Sequence, residues 1–67
     1  MNWRDHIVTD PQILRGTRIP AALILGYLAA GRDSAAILRE FQDLKAEDVA
    51  ACLGYARDLA DFEALAA

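Results

Sequence analysis

Across residues 19–31 the chain carries no charge, and Pro20 and Gly31 bracket the segment. Proline is tolerated in the first turn of a helix because its missing N–H has no partner there, and glycine takes the left-handed position just past the last turn. The bracket predicts a first helix over residues 20–30. Its residues Ala21, Ala22, Leu23, Ile24, Leu25, Tyr27 and Leu28 surround the axis, and a helix apolar on all sides is buried on all sides. A chain of 67 residues makes one domain, and at that size only roughly 60% of the unfolded surface is buried, so such a helix calls for a second chain. Small domains otherwise recruit disulfides or a metal. Cys52 and His6 are the single cysteine and histidine, so neither framework assembles within one chain. A homodimer without metal or cofactor is expected, and the 55% apolar content agrees, because a lone small domain would expose much of it.

The uncharged segment is too short to span a membrane. Residues 20–30 as a helix, at about 1.5 Å each, reach about 17 Å against about 30 Å of hydrocarbon. Leu28-Ala29-Ala30-Gly31 has the small residues of a leader cleavage site, yet Asp5 and Asp10 stand where a leader would be basic. The expectation is a cytoplasmic protein with no membrane partner. A lone cysteine suits a reducing compartment, and Cys52 falls on an apolar helical stripe with Val49, Leu53 and Ala56, which reads as a packing thiol. As a nucleophile it would need a base close by, and His6 lies far away in sequence.

Ahead of the first helix, His6-Ile7-Val8-Thr9 alternates and is β-branched until Asp10-Pro11 stops it, which predicts a short strand and a turn. Thr17-Arg18-Ile19 is the second strand candidate, with Gly16 supplying a positive φ between them. Thr17 either stands on a rigid loop beside Arg18 or hydrogen-bonds to Asp10 within the turn. A lone two-stranded hairpin is marginal in water, and pairing with the same hairpin of a second chain would cover its edge.

Beyond Gly31, Asp33 is a suitable N-cap for a second helix over about residues 34–41, with Ile37, Leu38 and Phe41 on one face. Gln42-Asp43-Leu44 connects it to a third helix that starts near Lys45, capped by Asp43 or weakly capped. The stripe of that helix is Val49, Cys52, Leu53, Ala56, Leu59 and Ala60. Helix, tight turn and helix make a helix-turn-helix pattern. Residues 61–67 either extend the third helix or form a separate turn.

Charge divides the chain. Residues 1–32 hold four arginines against two aspartates, while residues 33–67 hold three cations against eight carboxylates. A basic face can meet phosphate and an acidic helix pair can meet a basic protein surface, or the two signs simply aid self-association. Catalysis has little to build on. No Gly-rich phosphate loop, metal-spaced His or Cys set, or Ser-His-Asp candidate is present. Glu40, Asp43, Glu47 and Asp48 are split between two helices around a turn, so neither an enzyme nor a small-molecule substrate is expected.

Arg15-Gly16-Thr17-Arg18-Ile19-Pro20, reached from Asp10-Pro11-Gln12-Ile13 and followed by Ser34-Ala35-Ala36-Ile37-Leu38 and Asp43-Leu44-Lys45-Ala46-Glu47-Asp48-Val49, resembles the prokaryotic family catalogued as domain of unknown function 433. The resemblance covers about residues 7–60. It implies a mainly α fold, with a short β-hairpin arm over residues 1–19 and a three-helix, homeodomain-like bundle over 20–67, dimeric, whose helix-turn-helix lies at about 34–60. It also implies an antitoxin of a toxin-antitoxin system that binds and neutralises a PIN-like ribonuclease and represses its operon as a dimer. The other reading is a dimeric helix-turn-helix DNA-binding or interaction module with no toxin partner. In the similar sequences a Gly-Gly-Lys-Pro type insertion follows the Asp-Pro turn, whereas here Ile13-Leu14 joins it directly to the arginine string.

Three candidate surfaces follow. Glu47 and Asp48 at the start of the third helix repel phosphate, and carboxylates there commonly serve the helix dipole; contacts to operator DNA are therefore assigned to Arg15, Arg18, Arg32, Arg39 and Lys45. Asp58, Asp61, Phe62, Glu63 and Leu65 are the partner-binding candidates, with aromatic and apolar anchors ringed by charge. Alternatively, Phe62 folds back on Leu59 and Leu28 as core. Ile7, Val8, Ile19, Leu23, Ile24, Leu25 and Leu28 are the dimer-interface candidates.

Overall fold

The computed structural model describes residues 2–8 and 12–66, with side chains described through Asp61. It is mainly helical. A 3-10 turn at Trp3–Asp5 leads into strands β1 (Ile7–Val8) and β2 (Ile13–Leu14), then helices α1 (Ala21–Ala29), α2 (Ser34–Glu40) and α3 (Ala46–Ala66). β1 and β2 are antiparallel, with Ile7 opposite Leu14 and Val8 opposite Ile13. Thr9, Asp10 and Pro11, assigned from sequence to the end of the first strand and its turn, lie outside the described residues.

The second strand is not Thr17-Arg18-Ile19. Ile13 and Leu14 pair instead, because Leu14 is the apolar residue whose burial the hairpin serves; it is fully buried. The chain then turns back through Gly16 at φ +82°, the left-handed conformation expected of it. The Leu14 N–H donates to the Ile19 carbonyl at 2.9 Å, and Ile13 bridges Pro20. Thr17 closes this loop, while Asp10, the partner expected for it in the turn, lies outside the described residues. The Thr17 hydroxyl donates to the Leu14 carbonyl at 2.7 Å and accepts from the Ile19 N–H at 3.0 Å.

Pro20 is the N-cap of α1, extended at ψ 140°, and not its first helical residue. The far end is closed by Gly31 at φ +94°: the Arg32 N–H donates to the Tyr27 carbonyl and the Gly31 N–H to that of Leu28, a Schellman arrangement. Asp33 caps α2 as expected, its carboxylate accepting from the Ala36 N–H at 2.8 Å. The connection to α3 spans residues 41–45 and is longer than Gln42-Asp43-Leu44, because α2 stops at Glu40. Asp43 does not cap α3. Asp48 does, from inside the helix: its Oδ2 accepts from the Lys45 N–H at 2.9 Å, the return half of a capping box.

The core is built from Trp3, Ile7, Leu14, Ala21, Ile24, Ile37, Leu44, Val49, Ala51 and Cys52. α3 is the element on which the 3-10 turn, β1, α1 and α2 all pack. With 21 residues it is about 31 Å long, against a molecule of 38 × 25 × 20 Å, and it sets the long axis.

On α1 burial is partial within one chain, and on α3 the expected face needs correction. α1 is not covered all round within the chain: Ala21 and Ile24 are buried, whereas Ala22 and Gly26 are exposed and Leu23 is 41% exposed. One chain has too few elements to wrap it. On α3 the buried face is rotated from the expected stripe. Leu53 is exposed, while Ala51 is buried and Tyr55 partly so; farther along, where the stripe continues past the core, Leu59 and Ala60 are exposed. The cause is the 3-10 turn, which delivers Trp3 against Ala51, Gly54 and Tyr55.

Candidate functional site

An indole at the start of the chain needs both an apolar bed and a hydrogen-bond acceptor when buried. Trp3 finds both on α3. It is 7% exposed, its ring meets Tyr55 edge-on at 5.0 Å between centroids, and its Nε1–H donates to Asp58 Oδ2 at 2.6 Å. The ring lies over Gly54, where an added Cβ would meet Trp3 Cδ1 at an ordinary contact distance of 3.6 Å. The Trp3 indole, followed by Arg57 on the other carboxylate oxygen, holds the Asp58 carboxyl below its ordinary range. The Arg4 guanidinium lies over the exposed side of the indole, 4.4 Å from the ring centre. Beside this clasp is a cavity of about 370 Å³ lined by Trp3, Ala50, Ala51, Leu53, Gly54 and Arg57. No periodicity argument finds the clasp. The one available signal is a single tryptophan in a polar terminal stretch, which has to be covered by something.

The cations expected to meet DNA divide into two groups. Arg15 is committed to the arm, its Nε donating to the Asp5 carbonyl and its Nη2 to that of Arg4, both at 3.3 Å. Arg32 pairs with Glu40 and lies 4.7 Å over the Tyr27 ring, which in turn packs on Phe41. Arg18, Arg39 and Lys45 are exposed and make no side-chain hydrogen bond or ion pair among the described residues.

At the start of α3, Asp48 is occupied twice. One oxygen caps Lys45, and the other lies 3.4 Å from His6 Nδ1, tying the arm to the helix. Glu47 is exposed. Cys52 is fully buried, and burial, with a smaller contribution from the negative Asp48, pushes its thiol up to about 11. It stays protonated at neutral pH, which is packing behaviour and not nucleophilic behaviour. Among the described residues no group of three or more His, Cys, Asp or Glu side chains converges as a metal site would require. No described helix is long and apolar enough to cross a membrane.

Of the dimer-interface candidates, Ile7 and Ile24 belong to the chain's own core and present nothing to a second chain. Ile19, Leu25 and Leu28 pack against that core and are partly buried, which leaves Val8 and Leu23, 40% and 41% exposed, as the free ones. Of the partner-binding candidates, Asp58 is held by Trp3 and Arg57, and Asp61 is exposed. The side chains of Phe62, Glu63 and Leu65 lie outside the described residues, although the backbone there continues α3 to Ala66. The tail therefore extends the third helix.

The described residues form three helices and a two-stranded antiparallel arm. The chain belongs to the family described as "Protein of unknown function (DUF433)", whose model matches residues 7–56. The match holds the arm, α1, α2 and the first half of α3, and leaves Trp3 and Asp58 outside it. Neither a curated protein nor a solved structure matches the chain.

Proposed function

We propose that this protein is the antitoxin of a toxin-antitoxin pair and neutralises a PIN-like ribonuclease with the second half of α3. One observation carries the reading: the buried stripe of α3 outlasts the chain's own core. Val49 and Cys52 are covered, Ala56 is partly covered, and Leu59, next on the same face, is 45% exposed. A helix that continues its apolar face beyond the elements that pack on it offers that face to another protein. The same stretch of sequence carries Asp58, Asp61 and Glu63, suited to a basic surface such as one that binds RNA.

In the same reading the protein acts as a dimer, and α2 and α3 form a homeodomain-like helix-turn-helix that represses the operon. Arg18, Arg39 and Lys45, exposed and uncommitted among the described residues, are then the phosphate contacts. Asp48 is withdrawn from base reading by its capping and His6 contacts.

The test is co-expression with the product of the neighbouring gene, followed by capture on tagged antitoxin. The expected result is a complex with a small PIN-like ribonuclease that full-length protein retains and Leu59→Asp or deletion of residues 61–67 loses, with helical content per residue preserved. Full retention by both variants would overturn the assignment of the surface. A neighbouring product unrelated to such a nuclease would favour a dimeric helix-turn-helix module with no toxin partner.

A further inference from the structure

The outward face of α3 holds Glu47, Ala50, Leu53 and Arg57 at helical spacings, all exposed, with Gly54 at its edge covered by the chain's own Trp3. Leu53, at 50%, is among the most exposed large apolar side chains of the described residues, and it borders the cavity beside Trp3. A leucine standing out of a helix next to a hole floored by Ala50, Ala51, Gly54 and an indole has the form of a knob beside the hole for another such knob. The charges on this face complete the pattern. Glu47 and Arg57 stand equally far along α3 on either side of Cys52, and so do Ala50 and Gly54. Arg57 is the one cation between residues 46 and 66, and its side chain is 69% exposed.

We propose that this face is a two-fold homodimer surface on which α3 packs antiparallel against α3 of a second copy. Leu53 of each chain enters the cavity beside the other's Trp3, and Glu47 pairs with the partner's Arg57. A two-fold axis at the level of Cys52 places Glu47 against the partner's Arg57 at both ends at once, the self-complementarity that an isologous interface demands. Any register that put Glu47 against the partner's Asp61 would oppose like charges. The surface is distinct from the one carrying Leu59, so a dimer formed here leaves the proposed toxin-binding face open, while it withdraws the outward face of α3 from a DNA groove and leaves nucleic-acid contact to Arg18, Arg39 and Lys45. The proposal rests only on the self-association part of the reading above.

Charge reversal tests it. Sedimentation velocity is expected to show wild type as a dimer, and Glu47→Arg and Arg57→Glu each as a monomer, folded by far-UV circular dichroism. An equimolar mixture of the two variants should return to dimer, because both contacts between positions 47 and 57 across the mixed interface again join opposite charges. If Arg57→Glu unfolds through its lost contact with Asp58, Leu53→Lys reads the same face without touching that contact. Single variants as dimeric as wild type, or a mixture that stays monomeric, overturn this surface while leaving dimerisation elsewhere, for instance through Val8 and Leu23, intact. Wild-type monomer at high concentration overturns self-association itself. Toxin capture, measured separately, is expected to survive both charge reversals; its loss there would assign the face to the toxin and not to a second copy.

Discussion

Replacing Trp3 with alanine isolates what the clasp contributes. The side chain is 7% exposed, so roughly 200 Å² of aromatic surface leaves water on folding, worth about 5 kcal/mol at ~25 cal/mol per Å² before the alanine methyl is credited. Truncations of buried aromatics to alanine cost about 3–5 kcal/mol, which brackets the same figure. A single core of this size supplies on the order of 3–5 kcal/mol, so the loss is comparable to the whole. In a domain of 60–100 residues each kcal/mol moves Tm by about 4–8 °C, and even a 3 kcal/mol loss lowers it by about 12–24 °C. Thermal melts followed by far-UV circular dichroism measure this, since the substitution removes the single tryptophan that fluorescence would follow. Trp3→Phe keeps one ring against Tyr55 but loses the second ring of the indole and the N–H that donates to Asp58, so its Tm should fall between the two. A Trp3→Ala melt within a degree or two of wild type would refute the reasoning, because the 3-10 turn would then contribute nothing to the core.

Three further outcomes follow from the same contacts. Glycines should respond with opposite signs: Gly31→Ala, at φ +94°, costs about 1–2 kcal/mol in chemical denaturation. Gly26→Ala, inside α1 with nothing within 4 Å of the added methyl, should instead gain up to about 1 kcal/mol. The Asp58 carboxyl is held below its ordinary 3.8 in the folded protein, so its contribution is fully present at neutral pH and is lost as pH falls through the lowered value. Acid titration of wild type should therefore show a loss of stability below about pH 4 that Asp58→Asn, already without the charge, lacks in part. Finally, Cys52, fully buried and with its thiol pushed up to about 11, should resist a thiol reagent at neutral pH in the folded protein and react once urea unfolds it. Fast labelling without denaturant would contradict the packing assignment.

The boundaries of α1 and α2 were legible in the residues themselves. Pro20, Gly31 and Asp33 act through backbone groups a few positions away, so their effect is local and survives any tertiary arrangement. The positive φ of Gly16 and the buried, unpaired state of Cys52 were legible for similar reasons: one follows from a turn and the other from an apolar stripe. Membership of the family was carried by the arginine string and the helices after it. Contacts across the chain decided the rest. Trp3 and Asp58 are separated by 55 positions, and nothing in the spacing around either one names the other. Once Trp3 occupies α3, the face of that helix turned to the core is rotated, and Leu53 passes from core to surface. Ile13 and Leu14 displaced Thr17-Arg18-Ile19 as the second strand because Leu14 is fully buried in the core whereas Ile19 is only partly covered, a fact of three-dimensional position and not of β propensity. Helical periodicity specifies which residues share a face, whereas which face is covered depends on what the rest of the chain, and any second chain, brings to it.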